Sequence, residues 1–302
     1  ADFNLDLLTN ASDADNGAVL DVDNLSLQSG DDGGVSLNAD GTSLDVDLSY
    51  YQYLADGTSE TITFTYDVID GFGGVPASQS VTIIIDGQND DPTVSAAIIS
   101  TVTEDDASYN LNLLTNASDV DLNSILLVSG LTLDSNGDDR GVTFTLNSFN
   151  IDPSAYNYLA AGESEVLIYS YVVSDGLGGS TAQTATITIA GVNDDPTVSD
   201  AVSTEVSEDD ADFNLDLLTN ASDVDNGAVL AVDSLVNTLG DDGGISVNAN
   251  GTSLDVDLSY YQYLAGGTSE TITFTYDVID GQGGVPASQS VTIVINGVND
   301  DP

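Results

Sequence analysis

The sequence predicts an all-β protein built from tandem β-sandwich domains arranged end to end. The first observation is an internal repeat: residues 1–20 return at 211–230, and 107–127 is a more divergent copy. Comparing 1–92 with 211–302 position by position gives 77 identities in 92, whereas the middle copy differs more. The second and third observations are apolar residues alternating with polar ones and glycine-rich turns, which are typical of short, half-buried strands.

The repeats divide the chain into three predicted domains. The motif "NDDP" closes each copy, and its asparagines are separated by 193 − 89 = 104 and 299 − 193 = 106 residues. The domains are predicted at 1–91, 92–195 and 196–302, hereafter repeats 1, 2 and 3. Similar repeats therefore flank a divergent one.

Repeat 1 is predicted to lack its first strand. Repeats 2 and 3 open with the segments 93–106 and 197–210, and no such segment precedes Ala1. Either the sequence is cropped from a longer repetitive protein, or a neighbouring molecule donates the strand. The crop is favoured because no spare donor strand follows repeat 3.

The strands alternate in a way that assigns their inward faces. In 61–70, "TITFTYDVID", this pattern places Ile62, Phe64, Tyr66 and Val68 in the core. About seven such strands in a hundred residues favour an Ig-like sandwich. Other predicted strands are "DFNLDLL" (2–8), "SLDVDLS" (43–49, with Leu44, Val46 and Leu48 inward) and "QSVTIIIDG" (79–87), whereas "YYQYLADG" (50–57) is predicted to be a turn or a single helical turn.

The composition excludes several functions. The chain has 51 acidic residues, one basic residue (Arg140) and a net charge of -50. Nucleic acids and anionic membrane surfaces require basic partners, so neither is expected to bind. No apolar stretch is long enough to insert into a membrane. Without His, Cys or Lys, the usual nucleophilic mechanisms are absent, and without Trp a glycosidase or carbohydrate-binding cleft is disfavoured, so we predict that the protein is not an enzyme.

The acidic residues divide between the two ends of each predicted sandwich. In an Ig-like topology, "EDD", "ESE" and "NDD" lie at the end where the last strand leaves, and the D-x-D and D-G motifs lie at the opposite end. Stacking in tandem would bring both sets together at each junction. Two carboxylates roughly 5 Å apart repel by about 3 kcal/mol at an effective dielectric near 20. Calcium, which takes oxygen ligands, would convert that repulsion into a link, so Ca2+ is the predicted cofactor.

The segment 159–196, "LAAGESEVLIYSYVVSDGLGGSTAQTATITIAGVNDDP", resembles the second half of a bacterial VCBS or cadherin-like repeat of secreted adhesins. The resemblance covers all three repeats. It implies calcium between domains, held by a glutamate after the first strand, an acidic motif before the sixth, the linker and a D-x-D motif of the next domain. The predicted metal ligands are Glu104, Asp105, Asp119, Asp121, Asp175, Asn89, Asp90, Asp91, Glu60, Glu165, Asn193, Asp194, Asp195, Glu208, Asp209, Asp223, Asp225, Asp280, Asp13, Asp15, Asp70, Glu270, Asn299 and Asp300.

Some of these assignments keep an alternative. Asp70, Asp175 and Asp280 precede glycines and are either ligands or ordinary turn residues. The D-x-D pairs are favoured as ligands over Asx turns. Gly191 occupies the position of the first linker aspartate of cadherins, and no D-R-E motif is present, so the number of ions per junction stays open.

The predicted function is that of calcium-rigidified spacer repeats of a bacterial cell-surface adhesin or matrix protein, located extracellularly, for example in a biofilm. The alternative is a subunit of a calcium-dependent extracellular fibre that polymerises end to end, with strand donation as its signature. The expected partners are neighbouring repeats of the same chain or of identical chains, and the adhesion ligand is not expected in this segment.

Overall fold

The computed structural model describes residues 1–301 and is built of β-strands, with three single 3-10 helical turns and no α-helix in that range. The prediction of tandem Ig-like β-sandwiches is confirmed. Over the same residues, no helix has the length and apolarity needed to cross a membrane.

The strands follow the alternating segments of the sequence. Repeat 1 contains β1 (Phe3–Asp6), β2 (Asp21–Ser29), β3 (Val35–Leu37), β4 (Ser43–Val46), a 3-10 turn (Leu48–Tyr51), β5 (Ser59–Ile69) and β6 (Ala77–Asp86). Repeat 2 contains β7 (Thr93–Val94), β8 (Ile98–Thr103), β9 (Tyr109–Asn112), β10 (Ala117–Ser118), β11 (Leu127–Leu133), β12 (Val142–Thr145), β13 (Ser148–Ile151), a 3-10 turn (Pro153–Tyr156), β14 (Ser164–Ser174) and β15 (Ser180–Ala190). Repeat 3 contains β16 (Thr197–Val198), β17 (Val202–Ser207), β18 (Phe213–Asp216), β19 (Ala221–Ser222), β20 (Ala231–Leu239), β21 (Ile245–Val247), β22 (Ser253–Val256), a 3-10 turn (Leu258–Tyr261), β23 (Ser269–Ile279) and β24 (Ala287–Asn296).

Repeats 2 and 3 share one topology. In repeat 3, a four-stranded sheet of order β17-β24-β23-β20 faces a three-stranded sheet of order β18-β22-β21, and β16 pairs with β19. Strand β17 lies parallel to β24, and all other pairs in this repeat are antiparallel. One edge of the four-stranded sheet is therefore formed by β17, the first long strand of the repeat, which lies beside β24, the last strand.

Each repeat has its own hydrophobic core between its two larger sheets. The inward residues predicted for β5 are buried: Ile62 is fully buried and Phe64 is 5% exposed. A buried tyrosine recurs: the hydroxyl of Tyr66 donates to the Leu7 carbonyl at 2.8 Å, and Tyr171 and Tyr276 make the same bond to Leu113 and Leu217.

The strand predicted at 43–49 is shorter in the structure. It ends at Val46, and the 3-10 turn begins at Leu48, two residues before the predicted turn. The reason is Asp47, whose carboxylate accepts a hydrogen bond from the Ser49 N–H at 2.9 Å and caps the turn.

The repeats meet through short backbone contacts. The N–H of Leu122 in repeat 2 donates to the Tyr53 carbonyl of repeat 1 at 2.9 Å. At the next junction, the N–H of Asn226 donates to the Tyr158 carbonyl at 2.8 Å. In each case the loop after the short β10 or β19 strand rests on the loop before β5 or β14. This contact sets the end-to-end arrangement that brings the acidic loops together.

Candidate metal centre at the repeat junctions

Glu104 is positioned by the strand that precedes it. Its N–H donates to the Ala190 carbonyl at 3.1 Å, continuing the parallel pairing of β8 with β15. Its carboxylate Oε1 accepts from the Val192 N–H at 2.6 Å. The residue is 1% exposed, and its Oε2 has no hydrogen-bond partner. The sheet therefore holds one glutamate oxygen against residues 191–196, the linker between β15 and β16, and leaves the other free.

The linker and the next repeat supply two further carboxylates. The Asp194 N–H donates to Asp225 Oδ2 at 3.1 Å, and the Asp225 N–H donates to Asp223 Oδ1 at 2.9 Å. One carboxylate oxygen from each of Glu104, Asp194 and Asp225 lies within 4.8 Å of the others. These three residues, the second-junction triad, come from repeat 2, the linker and repeat 3.

Two side-chain bridges fix the linker against repeat 3. The Asn193 amide donates to Asp280 Oδ2 at 2.8 Å, and Asp280 Oδ1 accepts from the Gln282 N–H at 2.8 Å. Asp195 Oδ1 accepts from the Val285 N–H at 2.7 Å. Asp280 therefore closes a turn and also orients the linker.

Burial and repulsion raise the pKa of all three triad carboxyls. For Glu104 the larger cause is burial, followed by the charges of Asp194 and Asp225. Burial is also the largest cause of the raised pKa of Asp194 and of Asp225, and the charges of neighbouring acidic residues add to it. By contrast, the Asn193 amide and the Gln282 N–H lower the pKa of Asp280. The folded structure therefore disfavours the charged form of the three triad carboxyls. The neighbouring carboxylate of Asp280 is instead stabilised by its hydrogen bonds.

Four carboxylate oxygens of this site are buried without a hydrogen-bond partner and are available to a cation. Those without a hydrogen-bond partner are Glu104 Oε2, Asp194 Oδ2, Asp223 Oδ2 and Asp225 Oδ1. The sole basic side chain of the sequence, Arg140, pairs with Asp138 and lies over the Tyr158 ring instead. Oxygens bound to one calcium ion at about 2.3–2.6 Å lie at most about 5 Å apart, and the triad meets that limit. Its hard, anionic oxygens are the donor set that calcium prefers.

The first junction repeats part of this arrangement. Asn89 donates to Asp175 Oδ2 at 2.7 Å, the Asp90 N–H donates to Asp121 Oδ2 at 3.0 Å, and the Ser180 N–H donates to Asp91 Oδ1 at 3.3 Å. The Asp121 N–H donates to Asp119 Oδ1 at 2.9 Å. Asn89 Oδ1 and Asp121 Oδ1 are buried without partners. The counterpart of Glu104 would lie before Ala1 and is not among the described residues.

At Asp175, burial opposes the charged form. Hydrogen bonds from the Asn89 amide and from the N–H groups of Leu177, Gly179 and Gly178 outweigh it, so that the pKa of this carboxyl is lowered. Like Asp280, Asp175 both closes a turn and holds the linker.

The predicted glutamates of β5, β14 and β23 are the second residues of these strands and do not belong to the triad. Glu60, Glu165 and Glu270 each accept a hydrogen bond from the backbone N–H of a nearby loop, namely Asp31, Asp138 and Asp241 at 2.8, 3.0 and 2.9 Å. Glu163, which was not among the predicted ligands, instead contributes to the raised pKa of Asp225. Its backbone carbonyl accepts from the Gly191 N–H at 2.9 Å, which places it beside the linker.

The remaining predicted residues lie at the outer ends or flank the triad. Asp105 adds to the repulsion at Asp194, and the Asp209 N–H donates to Ser207 Oγ at 3.3 Å. At the free end of repeat 1, the Asp15 N–H donates to Asp13 Oδ1 at 2.6 Å and the Phe72 N–H to Asp70 Oδ1 at 2.9 Å. At the far end of repeat 3, Glu208 accepts from the Val298 N–H at 2.6 Å, and Asn299 donates to the Asp300 carbonyl at 3.2 Å.

Steric crowding explains why Gly191 occupies the position of the first linker aspartate of cadherins. A Cβ at Gly191 would collide with the carbonyl oxygens of Leu159 and Ala160. Gly87 and Gly297 face the equivalent carbonyls. The close approach of the linker to the loop before β14 therefore excludes any side chain at this position.

Comparison with known proteins identifies the family. The family model described as bacterial Ig domain matches residues 89–188 and 193–294. The chain belongs to the bacterial Ig domain family. The two matched bacterial Ig domains include every residue of the second-junction triad. No curated protein matches the chain.

Solved structures similar to these bacterial Ig domains include cadherin ectodomains. The human desmocollin-1 ectodomain is 14% identical, with a TM-score of 0.38 over 96% of this chain and 57% of that one. Mouse cadherin-23 EC22-24 is 16% identical, with a TM-score of 0.39 over 95% of this chain and 89% of that one. The chain spans little more than half the length of the desmocollin-1 structure. Because the TM-scores are low, the fold assignment rests on the sheets of the chain itself and on the family match.

Proposed function

We propose that this chain forms calcium-rigidified spacer repeats, of the VCBS or cadherin-like kind, in a bacterial cell-surface adhesin or matrix protein. The observation that supports this most is the second-junction triad, in which carboxylates from two repeats and their linker meet without a basic partner. A cation there would tie together segments that otherwise repel each other. The chain would then act by holding another domain at a fixed distance from the cell, and it would perform no catalysis.

Each junction would hold its ion through residues on both sides. At the second junction, Glu104, Asp194 and Asp225 would be ligands, and Asp223 and Asp105, whose charges raise the pKa of Asp194, would add further oxygens. At the first, Asp90, Asp119 and Asp121 would bind with fewer carboxylates. Asn193, Asp195 and Asp280, with their counterparts Asn89, Asp91 and Asp175, would hold the linker in place. Calcium takes 6–8 oxygens, so backbone carbonyls and water would supply the rest.

Calorimetric calcium titration and small-angle scattering test the proposal together. We expect saturable calcium binding and a longer, stiffer particle with calcium than with chelator. Glu104→Gln should weaken the tightest binding, whereas Asp233→Asn, which neutralises an exposed aspartate on β20, should not. An unchanged maximum dimension on chelation, or equal effects of the two substitutions, would contradict it.

A fibre subunit is the second candidate, and the far end of repeat 3 favours it. Glu208 is 2% exposed, its Oε1 is held by the Val298 N–H at 2.6 Å, and its Oε2 has no partner, as for Glu104. Asp13 and Asp15 of repeat 1 are identical in type and spacing to Asp223 and Asp225. A second copy could therefore complete this site head to tail. Sedimentation of the chain with calcium should then show concentration-dependent assembly that Glu208→Gln weakens, and a strictly monomeric chain would count against fibres.

A further inference from the structure

The outward face of the four-stranded sheet in repeat 2 carries no charge on its three long strands. The sheet has the order β11-β14-β15-β8. On β14, Leu167, Tyr169 and Val173 are buried in the core, so the residues between them point outward. Repeat 2 is described by the structure in full, and the outward positions of β8, β14 and β15 hold only Ala, Ile, Ser, Thr and Val. We call this surface the neutral face, and it belongs to a chain with a net charge of -50.

The equivalent face is acidic in repeats 1 and 3. In repeat 3, Asp277 pairs directly with Asp233 across two neighbouring strands. In repeat 2, Val172 pairs with Ser129 at the same place in the register. Repeat 1 has the same pair of aspartates as repeat 3, and in repeat 3 Glu205 on β17 adds a further acid where β8 has a threonine. Among residues 1–301, the neutral face is therefore a feature of the middle repeat alone.

Apolar side chains lie across the middle of the neutral face. Ile168 pairs with Thr186, and Thr186 pairs with Ile99, so these side chains form one row across three strands. Ile99 is 76% exposed, and Ile168 and the nearby Val166 are each 39% exposed. The corresponding row of repeat 3 consists of Thr273, Thr292 and Ser203. Repeat 2 thus exposes isoleucines at positions where repeat 3 has hydroxyl-bearing residues.

The charge of the chain indicates which partner this face fits. A basic partner would be attracted to the acidic faces of repeats 1 and 3 and not to a neutral one. An acidic partner needs a contact without facing carboxylates, because two carboxylates roughly 5 Å apart repel by about 3 kcal/mol at an effective dielectric near 20. A second copy of this chain is such a partner, and it brings an identical neutral face. Alternating side chains of two sheets interdigitate in this way inside a β-sandwich.

We propose that the neutral faces of two chains pack against each other around a two-fold axis, so that the chains associate side by side through repeat 2. The contact uses the same surface of both chains, as two-fold symmetry requires. Four strands about 4.8 Å apart and about seven residues long present roughly 400 Å² per chain. A total of roughly 800 Å² is below the size of stable interfaces, so the dimer is weak and reversible. This association is lateral, whereas the fibre considered above grows end to end.

Sedimentation equilibrium of the full chain in chelator tests the dimer, because chelator removes any end-to-end contact that needs calcium. We expect a monomer–dimer equilibrium without larger species. The dimer should become tighter as salt is raised from about 0.1 M to about 0.5 M, since salt screens the repulsion between the acidic repeats and leaves an uncharged contact intact.

Matched variants locate the contact on the neutral face. Ile168→Asp should weaken the dimer more than about tenfold, because each chain would bury a charge in the contact. Thr273→Asp is the control: it places the same charge at the equivalent position of repeat 3 and should leave the dimerisation constant unchanged. Val172→Asp should weaken the dimer as Ile168→Asp does, and misfolding cannot explain its effect, since repeats 1 and 3 fold with aspartate at this position.

Three results would overturn the proposal. The first is a chain that stays monomeric at every salt concentration up to about 1 mM protein, the limit of weak association. The second is equal weakening by Ile168→Asp and Thr273→Asp, or a dimer that weakens as salt rises, which indicates ionic contacts. The third is open-ended assembly that Ile168→Asp does not affect, because the chains would then associate through their ends.

Discussion

Replacing Glu104 with glutamine should have opposite effects with and without calcium. Without the ion, the substitution removes a charge whose oxygens lie within 4.8 Å of those of Asp194 and Asp225. Each such pair repels by about 3 kcal/mol at an effective dielectric near 20. The pKa of Glu104 is raised by burial and then by these two neighbours, so the folded state disfavours the charged side chain. We therefore expect a gain of at most about 3 kcal/mol, the repulsion of one such pair, in the free energy of unfolding in chelator.

With calcium, the same substitution should destabilise the junction. A ligand present at 100 times its dissociation constant stabilises the folded state by about 2.7 kcal/mol. If losing the carboxylate weakens binding about hundredfold, most of this stabilisation disappears, a loss of about 2 kcal/mol. The glutamine keeps the size of the side chain and can still accept from the Val192 N–H, so packing and the linker bond change little.

Scanning calorimetry in chelator and in calcium measures both the expected gain and the expected loss of stability. A change of 1 kcal/mol shifts the melting temperature of a domain of about 100 residues by roughly 4–8 °C. Asp233→Asn is the control, because it removes the charge of an exposed aspartate on β20 that is not part of the triad. It should therefore give little gain in chelator. If Glu104→Gln destabilises equally in both conditions, the glutamate has a purely structural role and the reasoning is refuted.

Two other outcomes follow from the structure. Asp119→Ala combined with Asp121→Ala should lower the calcium stoichiometry at the first junction and leave the tighter second junction unchanged, because each repeat contacts only its neighbours. If calorimetric titration shows an unchanged stoichiometry, these two aspartates only form a turn. At high pH, the free energy of unfolding should fall from about pH 10 towards pH 12, because burial raises the pKa of Tyr156 from 10.0 to about 12 and the unfolded phenol loses its proton first. Denaturant titrations at both pH values, with Tyr156→Phe to flatten part of the slope, check this.

The sequence could predict the cores because strand periodicity allows only two faces. Once "TITFTYDVID" is a strand, Ile62, Phe64, Tyr66 and Val68 must share a side, and these four are buried. The meeting of Asp194 with Asp225 was predictable for a similar reason, since topology decides at which end of a sandwich each loop lies. Both inferences depend on connectivity and not on side-chain detail.

The choice between neighbouring acids could not be predicted in this way. Glu163 and Glu165 are two residues apart, and alternation would place them on one face. In the structure, β14 begins at Ser164, so Glu163 still belongs to the loop beside Gly191, while Glu165 is in the strand and receives the Asp138 N–H. Where a strand begins depends on hydrogen bonds to distant segments, which the local pattern does not contain.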